Sequence, residues 1–292
     1  MVQERHLFLA GTLGFCDGVR RALAVVEQEL AAGHVPLYVL HEIVHNNSVT
    51  DRLRKQGVFF VNDPADVPDG AYLVLGAHGT APAVRQSAAA RLQVVDATCP
   101  QVSKVQNAAV AAEKAGERII LLGYPDHQEA AGIVGHCRPG TVEIVSPGGD
   151  WSALAPDDSR TVCLLSQTTM NTEDVAAAGQ KAEMLFAHVR NGAEVCHVSR
   201  ARQAAVRSLA KEVEYMLVLG SLSSSNARRL LEIALRENVA ARLVDSPEEI
   251  SPEELAGISR LGLCAGASVP DELVALTVVF LQQAGFTVNS PA

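Results

Sequence analysis

Short apolar runs alternate along the chain with stretches whose apolar positions recur every three or four residues. Runs of the first kind, bounded by Gly, Pro, Asp or Ser, predict strands, and the second kind predicts amphipathic helices. After Cys16 the apolar positions are Val19, Leu23, Val26 and Leu30, and after Cys99 they are Val102, Val105, Ala109 and Ala112. After Cys196 they are Val206, Leu209, Val213 and Met216. These steps place each set on one helix face. Before each set stands a strand-like run that ends in the cysteine: "HLFLAGTLGFC", "LQVVDATC" and "GAEVCHV".

The parallel extends beyond the cysteines. Each first helix is followed by an apolar strand, "PLYVL", "RIILLG" or "YMLVLG", and then by a polar loop, "HEIVHN", "YPDHQE" or "SLSSSN". A second helical stretch leads to "VFFV", "VEIV" or "ARLV". A third strand ends in a loop of small residues, "VLGAHGT", "LLSQTTM" or "LCAGASV", and a helix closes the unit. Strands alternating with helices at this spacing predict βαβ units and parallel sheets. The chain therefore reads as an α/β protein of three similar modules, residues 1–98, 99–195 and 196–292, arranged about a pseudo-threefold axis. In parallel sheets the binding loops lie at the carboxyl ends of the strands, so such an arrangement would pool three sets of loops at one centre.

Composition agrees with this picture and narrows the chemistry. A length of 292 residues predicts more than one core, and a hydrophobic fraction of 48% fits an ordinary α/β protein. No run is long enough to predict a membrane span, and "MVQERHLFLAGTLGF" is a poor signal peptide, so a cytoplasmic location is expected. A net charge of −9 argues against a nucleic-acid partner, although a local group of donors can still hold a small anion. The six cysteines are widely spaced and include no C-x-x-C pair, which excludes local zinc-ribbon and thioredoxin motifs.

Cys137, Cys163 and Cys264 are read as small core hydrophobes, whereas Cys16, Cys99 and Cys196 share one position in the repeat and are candidate metal ligands. Their first loops carry His45, His127 and the run Ser224, Ser225, Asn226, at offsets of 29, 28 and 28 to 30 from the cysteine. The second loops carry His78, Thr168 and Ser268. Glu129 alone would read as a solvated loop acid, but its nearness to His127 makes it an acid–base candidate. "SSSN" before "ARRLLEIAL" is an N-cap signature, and a helix N-terminus also attracts phosphate. Three thiolates fit zinc completed by one His, or an iron–sulfur cluster with one open iron.

The blocks "GFCDGV", "HEIVHN", "AHGT", "DATCPQVSKV", "GYPDHQE", "SQTTM", "GSLSSSN" and "AGASVPDEL" together resemble the 4-hydroxy-3-methylbut-2-enyl diphosphate reductase (LytB/IspH-type) family. They occur in family order over almost the whole chain. The resemblance implies a trefoil of α/β domains around a [4Fe–4S] cluster held by Cys16, Cys99 and Cys196. It also implies that the N-terminal strand belongs with the third domain. The allylic hydroxyl of the substrate would leave as water after addition of two electrons and protons, giving isopentenyl and dimethylallyl diphosphates. Glu129, Thr168 and His127 would relay protons. His45, His78, His127, Ser224, Ser225, Asn226 and Ser268 would bind the diphosphate substrate. The resemblance further implies an electron donor such as ferredoxin or flavodoxin, and neither a nucleic-acid nor a membrane partner.

Several surrounding residues depart from the family pattern. Thr12 and Leu13 replace Pro-Arg, Gln106 and Tyr124 stand where His is common, Ala201 replaces Asn, and Leu222-Ser223 interrupt the approach to Ser224. Two alternatives follow: a divergent paralogue acting on another allylic alcohol phosphate, or a zinc-stabilised anion-binding module without catalysis.

Overall fold

The computed structural model describes residues 4–152, 154 and 159–289. The chain opens with β1 (His6–Leu9), α1 (Asp17–Ala31), β2 (Leu37–Leu40), α2 (Asn47–Lys55), β3 (Val58–Val61), β4 (Tyr72–Leu75), α3 (Pro82–Ala89) and β5 (Gln93–Asp96). It continues with α4 (Pro100–Lys114), β6 (Arg118–Leu122), α5 (Gln128–Val134), β7 (Val142–Val145), β8 (Val162–Ser166), α6 (Thr172–Leu185) and β9 (Val189–Ala193). The last stretch holds α7 (His197–Ala210), β10 (Tyr215–Leu219), α8 (Ser225–Arg236), β11 (Ala240–Val244), β12 (Arg260–Ala265), α9 (Asp271–Gln283) and β13 (Thr287–Asn289). Among the described residues no helix is long and apolar enough to cross a membrane.

The chain divides into two compact units. One contains the described residues up to Asp17, His45–Val49 and the chain from His197 onward. Its sheet has the order β11-β10-β12-β1-β13, and every pairing is parallel. The other unit, Gly18–Val44 and Thr50–Cys196, contains two parallel sheets, β3-β2-β4-β5 and β7-β6-β8-β9.

The three orders reveal the repeat. In each sheet the module's first strand lies between its second and third, and a closing strand lies beside the third. That closing strand is β5 in one sheet and β9 in another, but in the third sheet β1 takes the place. The strands immediately preceding Cys99, Cys196 and Cys16 are thus topologically equivalent.

Parallel sheets must be covered on both faces. In the first unit's sheet Leu217, Leu219 and Leu263 enter one core, and Met216, Val218 and Cys264 enter the other. In the second unit Ile120, Leu122 and Leu164 face one core, whereas Ile119, Leu121 and Leu165 pack against Val105, Ala109 and Ala112 of α4. Each fully buried Leu or Ile contributes roughly 1.5–3 kcal/mol relative to exposure.

Two local expectations fail. α7 ends at Ala210, so Val213 lies in the connection that follows and Met216 on β10. Both satisfy the helical period because the apolar start of the next strand happens to continue it. The strand before Cys196 is also earlier than "GAEVC" suggests, because β9 begins at Val189 and ends at Ala193 after a bulge opposite Leu164 and Leu165.

Candidate metal and diphosphate site

Each repeat cysteine is anchored by the same backbone contact. The Cys99 N–H donates to the Ala77 carbonyl at 3.0 Å, in the loop after β4. The Cys196 N–H donates to the Thr168 carbonyl at 3.0 Å, after β8. The Cys16 N–H donates to the Ala267 carbonyl at 3.1 Å, after β12. In every case the closing strand's loop is tied to the loop of the third strand, and a helix starts within one residue. Cys99 caps α4 with extended backbone (φ −63°, ψ 132°), and Pro100 at the first helical position needs no N–H partner.

All six cysteines are described, and none is joined in a disulfide. Cys163 and Cys264 are buried, and Cys137 is half-buried. Burial pushes the thiols of Cys137 and Cys163 up to about 11 and that of Cys264 up to about 12, which keeps them protonated at neutral pH. Cys16, Cys99 and Cys196 are partly exposed at loop–helix corners. Among the described residues no group of three or more His, Cys, Asp or Glu side chains stands at metal-binding distance. What the structure shows of these three is the equivalence of their backbone settings.

In the second unit the acid–base candidates form a connected chain. His127 caps α5, and its Nδ1 accepts the Glu129 N–H at 3.1 Å. A neutral His127 therefore carries its proton on Nε2. Glu129 lies in the first turn of the helix and is 1% exposed, so it is not a solvated loop acid. Its carboxylate accepts the Thr168 N–H at 2.6 Å and the Thr168 hydroxyl at 2.9 Å. Burial pushes its pKa up to about 7, against the two Thr168 hydrogen bonds, which pull it down. Thr168 is the residue whose carbonyl holds Cys196, so the acid and that cysteine are tied to the same loop.

His78 meets His127 edge-on, with ring centroids 5.8 Å apart. Two glycines permit this approach. A Cβ on Gly132 of α5 would lie 3.0 Å from the Gly79 carbonyl oxygen, and Gly79 itself has φ 81°. His127, Gly79, Thr80, Asp126 and Gly132 also border a cleft of about 690 Å³, which is within the range of small-molecule sites.

In the first unit the diphosphate candidates cluster. Ser224 caps α8 by accepting the Ala227 N–H at 3.3 Å. The Ser268 hydroxyl lies 3.2 Å from the His45 carbonyl and 3.4 Å from Ser224 Oγ. Ser225 and Asn226 are 8% and 5% exposed, yet Ser225 Oγ and both side-chain polar atoms of Asn226 have no hydrogen-bond partner among the described residues. Buried polar groups are normally satisfied, so three orphans in the first turn of a helix fit a ligand that supplies acceptors and donors.

Sequence reasoning missed three residues beside these. Asn46 is buried, and its Oδ1 accepts the Val49 N–H at 3.1 Å as α2 begins. Gln167 is buried and accepts the Tyr124 N–H. Because that contact uses backbone, Tyr124 in place of His leaves it intact. Arg202 lies buried at 3% exposure on α7. "HN", "SQTT" and the residues after the third cysteine carried the signal, but polar side chains next to a motif look like solvent. Of the other departures, Gln106 is buried against Gly79, while Thr12, Ala201, Leu222 and Ser223 are exposed and Leu13 packs on the core.

A parallel α/β module repeated three times, with one cysteine at the same corner of each, is the class defined by fold and site. The chain belongs to the LytB protein family, whose profile matches residues 7–282. The 4-hydroxy-3-methylbut-2-enyl diphosphate reductase of Glaesserella parasuis serovar 5 (strain SH0165) is 38% identical over 289 residues, covering 97% of this chain and 91% of that one. The protein of the same name from Escherichia coli O9:H4 (strain HS) is 39% identical over 286 residues, covering 96% and 90%. The solved structure of the E-1-hydroxy-2-methyl-but-2-enyl-4-diphosphate reductase from Plasmodium falciparum matches with a TM-score of 0.92 and 31% identity, covering 98% and 92% of the two chains.

Proposed function

We propose that this chain is a 4-hydroxy-3-methylbut-2-enyl diphosphate reductase, an oxidoreductase that removes the allylic hydroxyl as water. The observation that carries the reading is the buried Glu129–Thr168 pair on the loop that anchors Cys196. Cys16, Cys99 and Cys196 would hold a [4Fe–4S] cluster, for which their partial exposure and matched anchoring suit them. When bound, the cluster supplies a Lewis-acidic iron and one-electron reduction. A ferredoxin or flavodoxin in the cytoplasm would deliver the electrons.

The protein's own residues do the rest. A carboxyl group with a pKa near 7 holds a proton at neutral pH and can still release it. The Thr168 hydroxyl, 2.9 Å from Glu129, passes that proton toward the departing hydroxyl and recovers one from the acid. His127, protonated on Nε2, adds a donor, and His78 lies edge-on to it. Ser225 and Asn226 hold the diphosphate at the amino end of α8, with Ser224, Ser268 and His45 around them. Neutral donors at a helix N-terminus can bind an anion without lysine or arginine, which suits a chain of net charge −9.

Anaerobic purification, with iron and sulfide assays followed by turnover on the diphosphate with a chemical reductant, tests the reading. Brown protein that converts the substrate is expected. Serine at Cys16, Cys99 or Cys196 should strip the iron, while serine at Cys137 or Cys163 should not. Colourless, zinc-loaded protein that binds the diphosphate without converting it would overturn the reading.

A further inference from the structure

α7 turns Arg202 and Ala205, three residues apart and so on one helix face, onto the chain leading from β1 to Cys16. A Cβ on Gly11 would lie 3.0 Å from that of Ala205. Arg202 Nη2 donates to the Gly14 carbonyl at 2.6 Å, and Nη1 donates to the Ala265 carbonyl at 2.7 Å. Gly14 stands two residues before Cys16. Ala265 stands two residues before Ala267, whose carbonyl accepts the Cys16 N–H. One guanidinium therefore bridges the two strands that carry the Cys16 loop and its anchor. Gly14 has φ 79°, and a Cβ there would meet Asp271 Oδ1 at 1.7 Å, so the loop is fixed from both sides.

The charge of Arg202 is the unexplained part. Arg118, Arg202 and Arg229 are all buried. Arg118 pairs with Glu143, and Arg229 pairs with Glu232. Among the described residues Arg202 has no carboxylate at salt-bridge distance, and its Nε has no hydrogen-bond acceptor. A buried charge without a counter-ion is costly, so such an arginine implies an anion nearby. The groups whose negative charge would support it are Cys16, Cys264 and Asp271. Cys264 is a buried thiol that stays protonated, and Asp271, whose Oδ1 packs on Gly14, is an exposed residue whose charge water screens. Cys16 stands two residues beyond the Gly14 carbonyl that Arg202 grips, and a cysteine binds metal as its thiolate.

We propose that Arg202 is a positioning residue for the metal site, clamping the Cys16 loop to the end of β12 and serving as the buried counter-charge of the Cys16 thiolate. The inference rests on the ligand role given to Cys16 above. It makes that ligand electrostatically distinct from a cysteine held by backbone contacts alone. A positive charge beside an anionic centre favours its reduction, and a planar two-carbonyl fork is a geometry that lysine cannot copy.

The test compares wild type, Arg202→Lys and Arg202→Met, each purified anaerobically, by iron per chain, midpoint potential and KM for the diphosphate. Thermal unfolding of the metal-free forms checks that the variants fold. Arg202→Met should retain iron roughly 10–100-fold less tightly and have a more negative potential, with KM unchanged. Arg202→Lys should recover the potential while iron retention stays weak, since it restores charge without the fork. Folded Arg202→Met with wild-type iron retention and potential would overturn the proposal. Equal displacement of the potential in both variants would assign the effect to packing and overturn the electrostatic role. Wild type that binds no iron would instead overturn the ligand reading beneath it.

Discussion

Glu129→Gln separates the two consequences of burying an acid. In the folded protein the carboxyl titrates near 7, against an ordinary value of 4.5. Between these pH values the unfolded chain has released the proton and the folded chain retains it, so stability falls as pH rises through that window. At about 1.4 kcal/mol per pH unit, the loss from this group is about 3 kcal/mol, complete above pH 7 and absent below 4.5. Glutamine keeps the shape and can accept the Thr168 N–H, but it does not titrate. The variant should therefore gain stability relative to wild type on going from pH 5 to pH 8, by most of that amount, in anaerobic urea unfolding of metal-free protein. On the loaded enzyme, turnover should fall by about 10²–10⁴-fold with iron content unchanged. A stability difference between the two proteins that is the same at both pH values would refute the burial argument. Full turnover would remove Glu129 from the chemistry.

Thr168→Val leaves the backbone donor to Glu129 but removes the hydroxyl donor, whose bond holds the acid's pKa down. Its pH–rate profile should show a lower maximum with the alkaline limb displaced upward by about one unit; an unmoved limb would disconnect the pair. Ser225→Ala removes a buried hydroxyl that has no hydrogen-bond partner among the described residues. It should weaken diphosphate binding measured by calorimetry about tenfold while stability stays level or rises by up to ~1 kcal/mol. Gly132→Ala places a methyl group 3.0 Å from the Gly79 carbonyl oxygen and should cost about 1–3 kcal/mol of stability, read as a lower urea midpoint. An unchanged midpoint there would mean that the backbone approach is loose.

The repeat was legible because three features recur together: apolar strand runs, polar loops at their carboxyl ends and a cysteine at one corner. The place of β1 could not be read from local pattern, because its parallel partners β12 and β13 lie at the far end of the chain. For the same reason Glu129 looked solvated. Its burial comes from Thr168, which is 39 residues away in sequence. Arg202 was hidden more deeply. On α7 it occupies a polar position among Arg200, Gln203 and Arg207, and nothing local distinguishes a buried arginine from a solvated one. Only the carbonyls of Gly14 and Ala265, 188 and 63 residues away in sequence, give it away. Helix periodicity also misled at Val213 and Met216, where an apolar strand start follows the helix in phase.

The place of β1 between β12 and β13 bears on how the protein is made. Among the described residues β1 pairs only with β12 and β13, so it has no sheet to join until those distant segments have been made. The carbonyl that holds the Cys16 N–H and the arginine that grips Gly14 are also late arrivals. The sheets of β2–β5 and β6–β9 can close earlier, each from contiguous chain. Cys99 and Cys196 can therefore reach their settings first, whereas Cys16 reaches its own only once Arg202 and Ala267 are in place. Under the proposed ligand set, loading of the centre waits for β12 to dock beside β1.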